Sequence, residues 1–457
     1  MEIEEQNLEN NGSVNVVERE SKLRNVVCGP VRWLKMLASQ LHWSYVFGVV
    51  SVYGINQGFG YSLGRVATDY YMKDVQKVQP SKSQALTTIT RIPWIIKPFW
   101  GILTDVLPII GFHRRPYFIL AVVSLLFISL QSNLHLYLAL LWMTISSAAM
   151  AIADTLCLLI SSIGALLGFF MSGILVHLVG SKGVFGLLTF PFALVSVVGI
   201  VFCEPHVHGF SYKQKFTDAG KAMWRTMKCS DVWRPSLYIY ISLALGFDIQ
   251  EGIFYWFTDS KDGPLFAQET VGFILSIGPI GSILGVLLYN LVLKDHPFRS
   301  LFLWTQLLFA LSGMFDLILV LRLNLKFGLP DYLFIVVDEI VSQMIERLKW
   351  MPLLVFNTKL CPHGIEGTFF VLLMSIDNAG LMTSSWLGGI LLHVLKVTRT
   401  EFSNLWLAVL VRNVMRLLPL CFLFLVPKGD QNKFKLPNEI MGEDSENKNL
   451  INSASSL

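Results

Sequence analysis

The chain has 457 residues, of which 53% are hydrophobic and 15% charged, with a formal net charge of +4. Soluble domains carry about 25% charged residues. The shortfall, together with long apolar runs, excludes an ordinary soluble domain and points to a polytopic membrane protein in a lipid bilayer. The small positive charge requires no nucleic-acid partner, because basic loop residues that orient membrane spans account for it.

The chain opens on an acidic stretch with Glu2, Glu4, Glu5, Glu9, Glu18 and Glu20. A signal peptide starts basic then apolar, and a transit peptide is rich in Arg and Ser and poor in acid. Residues 1–40 are therefore expected to be a cytosolic tail, acidic and then basic from Arg24 through Arg32 and Lys35. The plasma membrane or an endomembrane is expected in preference to a plastid envelope. The six cysteines show no CxxC spacing, so they are expected to pack, with no disulfide framework, metal site or cofactor.

Apolar runs at 41–63, 84–103 and 116–130 predict the first three spans. From 134 to 178 the chain is almost unbroken apolar sequence, interrupted mainly by Asp154. Helical, this would be about 67 Å long against roughly 30 Å of hydrocarbon. It therefore holds two spans, with a turn expected at Asp154 and Thr155 although no loop residues separate them. A sixth span is expected at 183–202. The interval 203–235 is polar and basic, with Lys213, Lys215, Lys221, Arg225, Lys228 and Arg234. Six more spans follow at 236–257, 270–293, 301–321, 332–356, 367–395 and 402–426. The reading is an all-α polytopic membrane protein with about twelve transmembrane helices in two six-helix bundles. Residues 41–203 form the first bundle and 236–426 the second. Residues 204–235 are a basic cytosolic loop and 427–457 a polar tail. The basic central loop and the Arg114-Arg115 turn place both termini in the cytosol. Gly164–Gly168 and Gly281–Gly285 have the spacing of close helix packing.

Ionisable side chains inside spans cost about 2.5–3.5 kcal/mol each on insertion scales, so each needs a reason. Arg91 and Lys97 lie in span two, six residues and about 240° apart. Arg91 is the deeper and can meet an anionic ligand, whereas Lys97 can snorkel. Asp248 and Glu251 in span seven are three residues apart on neighbouring positions of one face, which Tyr255 extends. Paired carboxylates in an apolar bundle suit proton carriage, and equally a wet vestibule or a salt bridge. Span ten carries Asp338, Glu339, Glu346, Arg347 and Lys349. Asp338, Ser342, Glu346 and Lys349 fall within an arc of about 80°, a strip that must face a cavity or a partner helix. Glu366 and Asp377 in span eleven lie about 20° off one line. Cavity lining and interhelical hydrogen bonding both remain open for them. No P-loop, nucleophile elbow, His-Glu-x-x-His or dinucleotide fingerprint occurs, so no enzyme is read and an ion gradient is the expected energy source.

Gly101-x-x-x-Asp105, with Gly111 and Arg114-Arg115, resembles the cytoplasmic loop signature of the major facilitator superfamily. In that superfamily the acidic and basic partners gate the transition between inward and outward states. More of the chain resembles one branch of it, the folate–biopterin transporter family. The resemblance covers residues 44–427 and rests on three blocks. The first is Gln57-Gly58 with Arg65, then Pro93-Trp94-x-x-Lys97-Pro98 running into the gating turn. The second is Met351-Pro352 with Cys361-Pro362-x-Gly364-Ile365-Glu366-Gly367-Thr368. The third is Thr398-Arg399-Thr400 with Asn404-Leu405-Trp406 and Arg412-Asn413. The resemblance implies proton-linked movement of folates or pterins. Two departures stand out. The family continues after Ala153-Asp154 with a second Asp and a loop, which are absent here. It also often carries a proline in span seven where this chain has Gly246-Phe247-Asp248. A shortened, non-transporting variant and a carrier of another small organic solute are the rival expectations.

Overall fold

The computed structural model describes residues 54–98, 135–153, 158–201, 224–361 and 366–428, with isolated positions 36, 39, 123, 126, 130 and 221. The described residues are helical with short connections and contain no strand. The first half comprises α1 (Gly54–Tyr70), which runs on as a π turn (Tyr71–Val75), α2 (Pro80–Ile89), α3 (Ile92–Ile95), α4 (Leu136–Ala153) and α5 (Leu158–Val201). The second half comprises α6 (Ser230–Ala244), α7 (Gln250–Asp259), α8 (Gln268–Leu288, with a π turn Tyr289–Leu293), α9 (Phe298–Val320), α10 (Leu323–Lys326), α11 (Asp331–Lys359), α12 (Glu366–Val394) and α13 (Leu405–Met415), which ends in a 3₁₀ stretch (Leu418–Leu425). Gln268–Leu293, Phe298–Val320 and Leu405–Leu425 are each long and apolar enough to cross a bilayer. A fourth apolar stretch, Gly164–Pro191, contains the break described next.

The 44 residues of α5 would reach about 66 Å as one rod, twice the hydrocarbon thickness. Gly180 interrupts it at φ 71° and ψ 167°, a conformation that suits glycine. The break falls between the expected fifth and sixth spans. The expected turn at Asp154 lies outside the described residues, between the end of α4 at Ala153 and the start of α5 at Leu158.

Three expectations need correction. The expected spans 41–63 and 84–103 leave 64–83 as a connection between them. Instead the helix continues to Tyr70 and the π turn to Val75. Val66, Ala67, Tyr70 and Tyr71 are buried on its packed side while Arg65 and Asp69 lie half-buried on the other. Hydropathy misreads this stretch because the polar face lines an internal space. Span two is also not one helix around Arg91. Pro93 lacks an N–H and its ring crowds the carbonyl four residues back, at Ile89, where α2 ends. Arg91 closes that end, its N–H donating to the Thr88 carbonyl at 3.0 Å.

Span seven is likewise broken, between Ala244 and Gln250, so Asp248 and Glu251 do not share one helical face. Phe247 sits at φ 42°, a left-handed conformation that costs a bulky residue about 1–3 kcal/mol. The Asp248 N–H leaves the helix to bond Ser384 on α12, at its carbonyl (3.2 Å) and its hydroxyl (3.0 Å).

Within each half the helices close on aromatic cores. One centres on Tyr70, Tyr71, Phe185 and Leu188, and another on Tyr238, Phe298, Phe302 and Phe356. Three of the four close-packing glycines behave as expected. Gly168 lies against the Phe59 backbone of α1, and Gly281 and Gly285 lie against the backbone of α11. The halves meet where α5 packs on α8 and where α2 packs on α7 and α12. At the first of these seams Gly173 and Gly272 touch backbone to backbone. A Cβ on Gly272 would lie 2.6 Å from the Gly173 Cα and N. Gly272→Val should therefore destabilise the protein by about 1–3 kcal/mol or more, because backbone on both sides cannot yield. Gly64→Ala, whose Cβ would meet only Leu188 Cδ1 at 3.7 Å, should leave the melting temperature of the detergent-solubilised protein nearly unchanged. Equal melting temperatures for the two variants would refute this packing.

Candidate functional site

A cavity of about 400 Å³ lies between the two halves, within the roughly 300–1,000 Å³ usual for small-molecule sites. From α1 come Tyr61, Arg65, Thr68 and Asp69, one helical face at i, i+4, i+7 and i+8. The α2–α3 corner adds Gln84, Thr87, Arg91 and Trp94, and α4 adds Ser146 and Ser147. Phe185 and Leu188 of α5 supply an apolar wall. Asp248, Gln250, Glu251 and Phe254 come from the α6–α7 break, and Asn378 and Met382 from α12.

Two guanidiniums and three carboxylates thus share one space. Arg65 feels the charge of Asp69 on its own helix, of Asp248 on another wall of the cavity, and of Glu339 on α11. Asp69 feels the charges of Arg65, Arg91 and Asp248. In a low-dielectric setting such charges are mutually stabilising only as a set. Trp94 presents an aromatic ring, held by its Nε1–H donating to Ser147 Oγ at 3.1 Å. An arrangement of this kind can hold a flat, hydrogen-bonding anion.

The seam beside the cavity is polar. Gln84 Nε2 donates to Asp248 Oδ2 (3.1 Å) and Ser385 Oγ (2.8 Å), while its Oε1 accepts the Glu251 N–H (3.0 Å). Ser83 Oγ donates to Glu251 Oε2 at 2.9 Å. One helical turn further out, Lys73 Nζ pairs with Asp259 Oδ1 at 2.8 Å. Arg399 donates to the Lys73 carbonyl at 2.7 Å and lies 3.6 Å from Asp259. Tyr255 Oη–H donates to the Val78 carbonyl at 3.1 Å. These contacts join the halves at the end where α1 and α7 finish.

Of the ten binding or coupling residues expected from the sequence, Arg91, Asp248 and Glu251 line the cavity. Asp154 lies outside the described residues, as do Gly101, Asp105, Arg114 and Arg115 of the expected gating loop. The side chain of Glu366, the first residue of α12, is likewise outside them. Lys97 stacks over the Trp94 ring at 5.2 Å. The α11 strip divides. Asp338 accepts from Ser342 at 2.8 Å and faces the Arg412–Asp316 pair, and Glu339 accepts from Gln343 at 3.1 Å. Lys349 donates to the Ser242 carbonyl at 3.2 Å and lies over Phe309 at 4.2 Å, and Glu346 is exposed. Asp377 accepts from Asn357 Nδ2 at 2.8 Å, which favours the interhelical reading for it. Arg65, Asp69, Gln84 and Ser385 were not foreseen as site residues. The i, i+4, i+8 repeat of Tyr61, Arg65 and Asp69 was the available signal for the first two.

The fold is all-helical and major-facilitator-like. A solved D-xylose-proton symporter is similar over 86% of this chain and 100% of its own, with a TM-score of 0.59 at 12% identity. The chain belongs to the BT1 family, whose model matches residues 57–158 and 154–439. It is 83% identical over 475 aligned positions to "Probable folate-biopterin transporter 2" of Arabidopsis thaliana, covering 98% of this chain and 95% of that protein. It is 80% identical to "Probable folate-biopterin transporter 5" of the same plant, covering 98% and 97%. The family match divides at 154–158, and the 475 aligned positions exceed the 457 residues present, so the relative carries residues that this chain lacks.

Arg65→Met should remove the partner that Asp69 and Asp248 share. A charge-assisted contact is worth about 1.5–3 kcal/mol. The KM for an anionic substrate should therefore rise about ten- to a hundredfold at unchanged surface expression, read as saturable uptake in intact cells.

Proposed function

We infer that this protein is a secondary active transporter that moves folates or pterins across a membrane by alternating access, coupled to protons. Its moving units are the bundles 41–203 and 236–426, joined by a cytosolic loop at 204–235, with both termini cytosolic. The observation that carries the reading is the inter-half cavity in which Arg65 and Arg91 face Asp69, Asp248 and Glu251 beside the Trp94 ring. A pterin is flat and aromatic, with N–H donors on one edge that suit carboxylates. The glutamate tail of a folate is dianionic and suits guanidiniums, which bind carboxylates in fork geometry. Stacking of an aromatic heterocycle on a side chain such as Trp94 contributes about 1–3 kcal/mol per ring in comparable sites.

Membership of the BT1 family and the names of its plant relatives support the same substrate class. A site at the midplane between two bundles is the arrangement that rocking-bundle carriers use. Protons are the proposed coupling ion because three carboxylates in a largely apolar span region offer titratable acceptors. The plasma membrane or an endomembrane is the proposed location. A second reading, a non-transporting variant, is favoured by the residues that the plant relative carries and this chain lacks, taken with the division of the family match at 154–158.

The test is uptake of labelled folate by cells that lack their own carrier and express the full chain at measured surface level. Uptake should rise at acidic external pH, collapse with a protonophore and be blocked by pteroate and folinic acid. Trp94→Ala should raise KM about tenfold, consistent with loss of roughly 1–3 kcal/mol of stacking. Absence of uptake at normal surface level would overturn the folate reading. Restoring the relatives' residues after Asp154 would then tell a broken carrier from one that moves something else.

A further inference from the structure

Glu346 is an exposed carboxylate near the middle of α11 (Asp331–Lys359), roughly 20 Å of helix from either end. At that depth it faces either lipid or an internal water space, and lipid is the costly choice. The lipid side of α11 is marked by Leu333 and Val337, each 50% exposed. Glu346 lies about 180° round the helix from Val337 and about 140° from Leu333. The packing seams lie elsewhere. The carbonyls of Ile340 and Met344 meet Gly281 and Gly285 of α8, and Lys349 lies over Phe309 of α9. Glu346 therefore looks into a space inside the protein.

It belongs to one face of α11. Glu339, Gln343, Glu346 and Trp350 follow at i, i+4, i+7 and i+11. The upper end of this face reaches the cavity, because Arg65 is the charged group that acts most strongly on Glu339, and Glu346 acts on it as well. The lower end runs away from the clamped end. α11 starts beside the end of α7, since Arg322, paired with Asp331 at 2.6 Å, lies over the Trp256 ring. The face thus leads from the cavity toward the end opposite the Lys73–Asp259 pair.

Two groups on it lack partners. The Glu346 carboxylate forms no hydrogen bond or ion pair with a described residue, and the Trp350 Nε1–H has no acceptor among them. Lys349 and Arg416 feel the charge of Glu346, but they donate to the carbonyls of Ser242 and Gly246. Trp350 is half-buried, with one side on the aromatic core of the second half. A carboxylate and an indole one turn apart suit a flat aromatic ring with N–H donors along one edge. The carboxylate accepts from the edge and the indole stacks on the ring. A pterin has this form. The anionic tail of a folate does not, because Glu346 carries the same sign.

We propose that Glu346 and Trp350 form a second binding position for the pterin ring, on the wall of the second half between the cavity and the end opposite the Lys73–Asp259 pair. The proposal rests on the folate and pterin reading above. It gives the ring two successive holds on its route, one in the cavity beside Trp94 and one along α11.

The experiment is equilibrium dialysis of labelled biopterin against the purified full chain in lipid nanodiscs. The wild type should bind two biopterins per chain, in two phases. Trp94→Ala should weaken the cavity phase about tenfold, the loss expected for one stacked ring. Glu346→Gln should weaken the other phase about ten- to a hundredfold, the range of one charge-assisted hydrogen bond. Trp350→Leu should weaken that same phase about tenfold. p-Aminobenzoylglutamate, a folate tail without its pterin, should displace label from the cavity phase alone. The cavity phase of each α11 variant, with its size-exclusion profile, reports that the variant is folded. One biopterin per chain in the wild type would overturn the proposal. So would two wild-type phases in Glu346→Gln and Trp350→Leu, or displacement of both phases by p-aminobenzoylglutamate. Folate uptake with a single biopterin per chain would leave the transport reading standing and remove the second position. Two biopterins per chain with these variant effects, but no uptake, would do the converse.

Discussion

The structure depends on the interruption of the seventh span between Ala244 and Gln250. A continuous helix there would satisfy its own backbone and present a smooth surface to its neighbours. The interruption frees peptide groups inside a membrane protein, where each must find another partner. The partners come from other elements. Ser384 on α12 takes the Asp248 N–H, Gln84 on α2 takes the Glu251 N–H, and Lys349 and Arg416 donate to the carbonyls of Ser242 and Gly246. The two cations lie against the Phe309 ring at 4.2 and 4.0 Å while capping the carboxyl end of α6, where the helix dipole favours positive charge. The broken helix is thereby tied to α2, α9, α11 and α12 at a single level.

This arrangement explains why the buried charges fall into two groups. Those on α1, the α2–α3 corner and the α6–α7 break open onto the cavity. Those on α9, α11 and α13, such as the Arg412–Asp316 pair at 2.6 Å beside Asp338, form a second polar layer inside the second half. Such a layer holds helices in register, whereas the first group has space beside it for a ligand. Charge inside spans is therefore not by itself a mark of a binding site. What separates the two groups is whether neighbouring helices fill the space around the charge.

The helical class, the positions of most spans after the central loop, and the close-packing glycines were legible in the sequence. Apolar run length and residue type determine them locally. Arg65 and Asp69 were not read as site residues because hydropathy averages over all sides of a helix. One polar face beside packed tyrosines then looks like a loop. The break at Gly246-Phe247-Asp248 was hidden for another reason. The groups that stabilise it, Ser384, Gln84, Lys349 and Arg416, lie about 100 residues or more away in the chain, and no local pattern announces them. Pro93 was a mark of interruption that the reading of span two as one helix passed over, and its effect on Arg91 followed only once the end of α2 at Ile89 was known. The separation of Asp338, Lys349 and Asp377 from the cavity depends on which helices pack against α11 and α12, a tertiary fact.

The Gly173–Gly272 contact bears on more than packing. Where two backbones touch with no side chain between them, the point of contact itself has no rotamer to change when one helix rolls on the other. The contact therefore has the geometry of a fulcrum. Leu288, at the far end of α8, lies sixteen residues beyond Gly272, a lever arm of about 24 Å. A tilt of about 10° about that point would carry the helix end roughly 4 Å, by the same helical rise. At the fulcrum itself the displacement is close to zero. Two halves joined in this way can exchange large openings at their ends while the helices stay in contact at mid-depth.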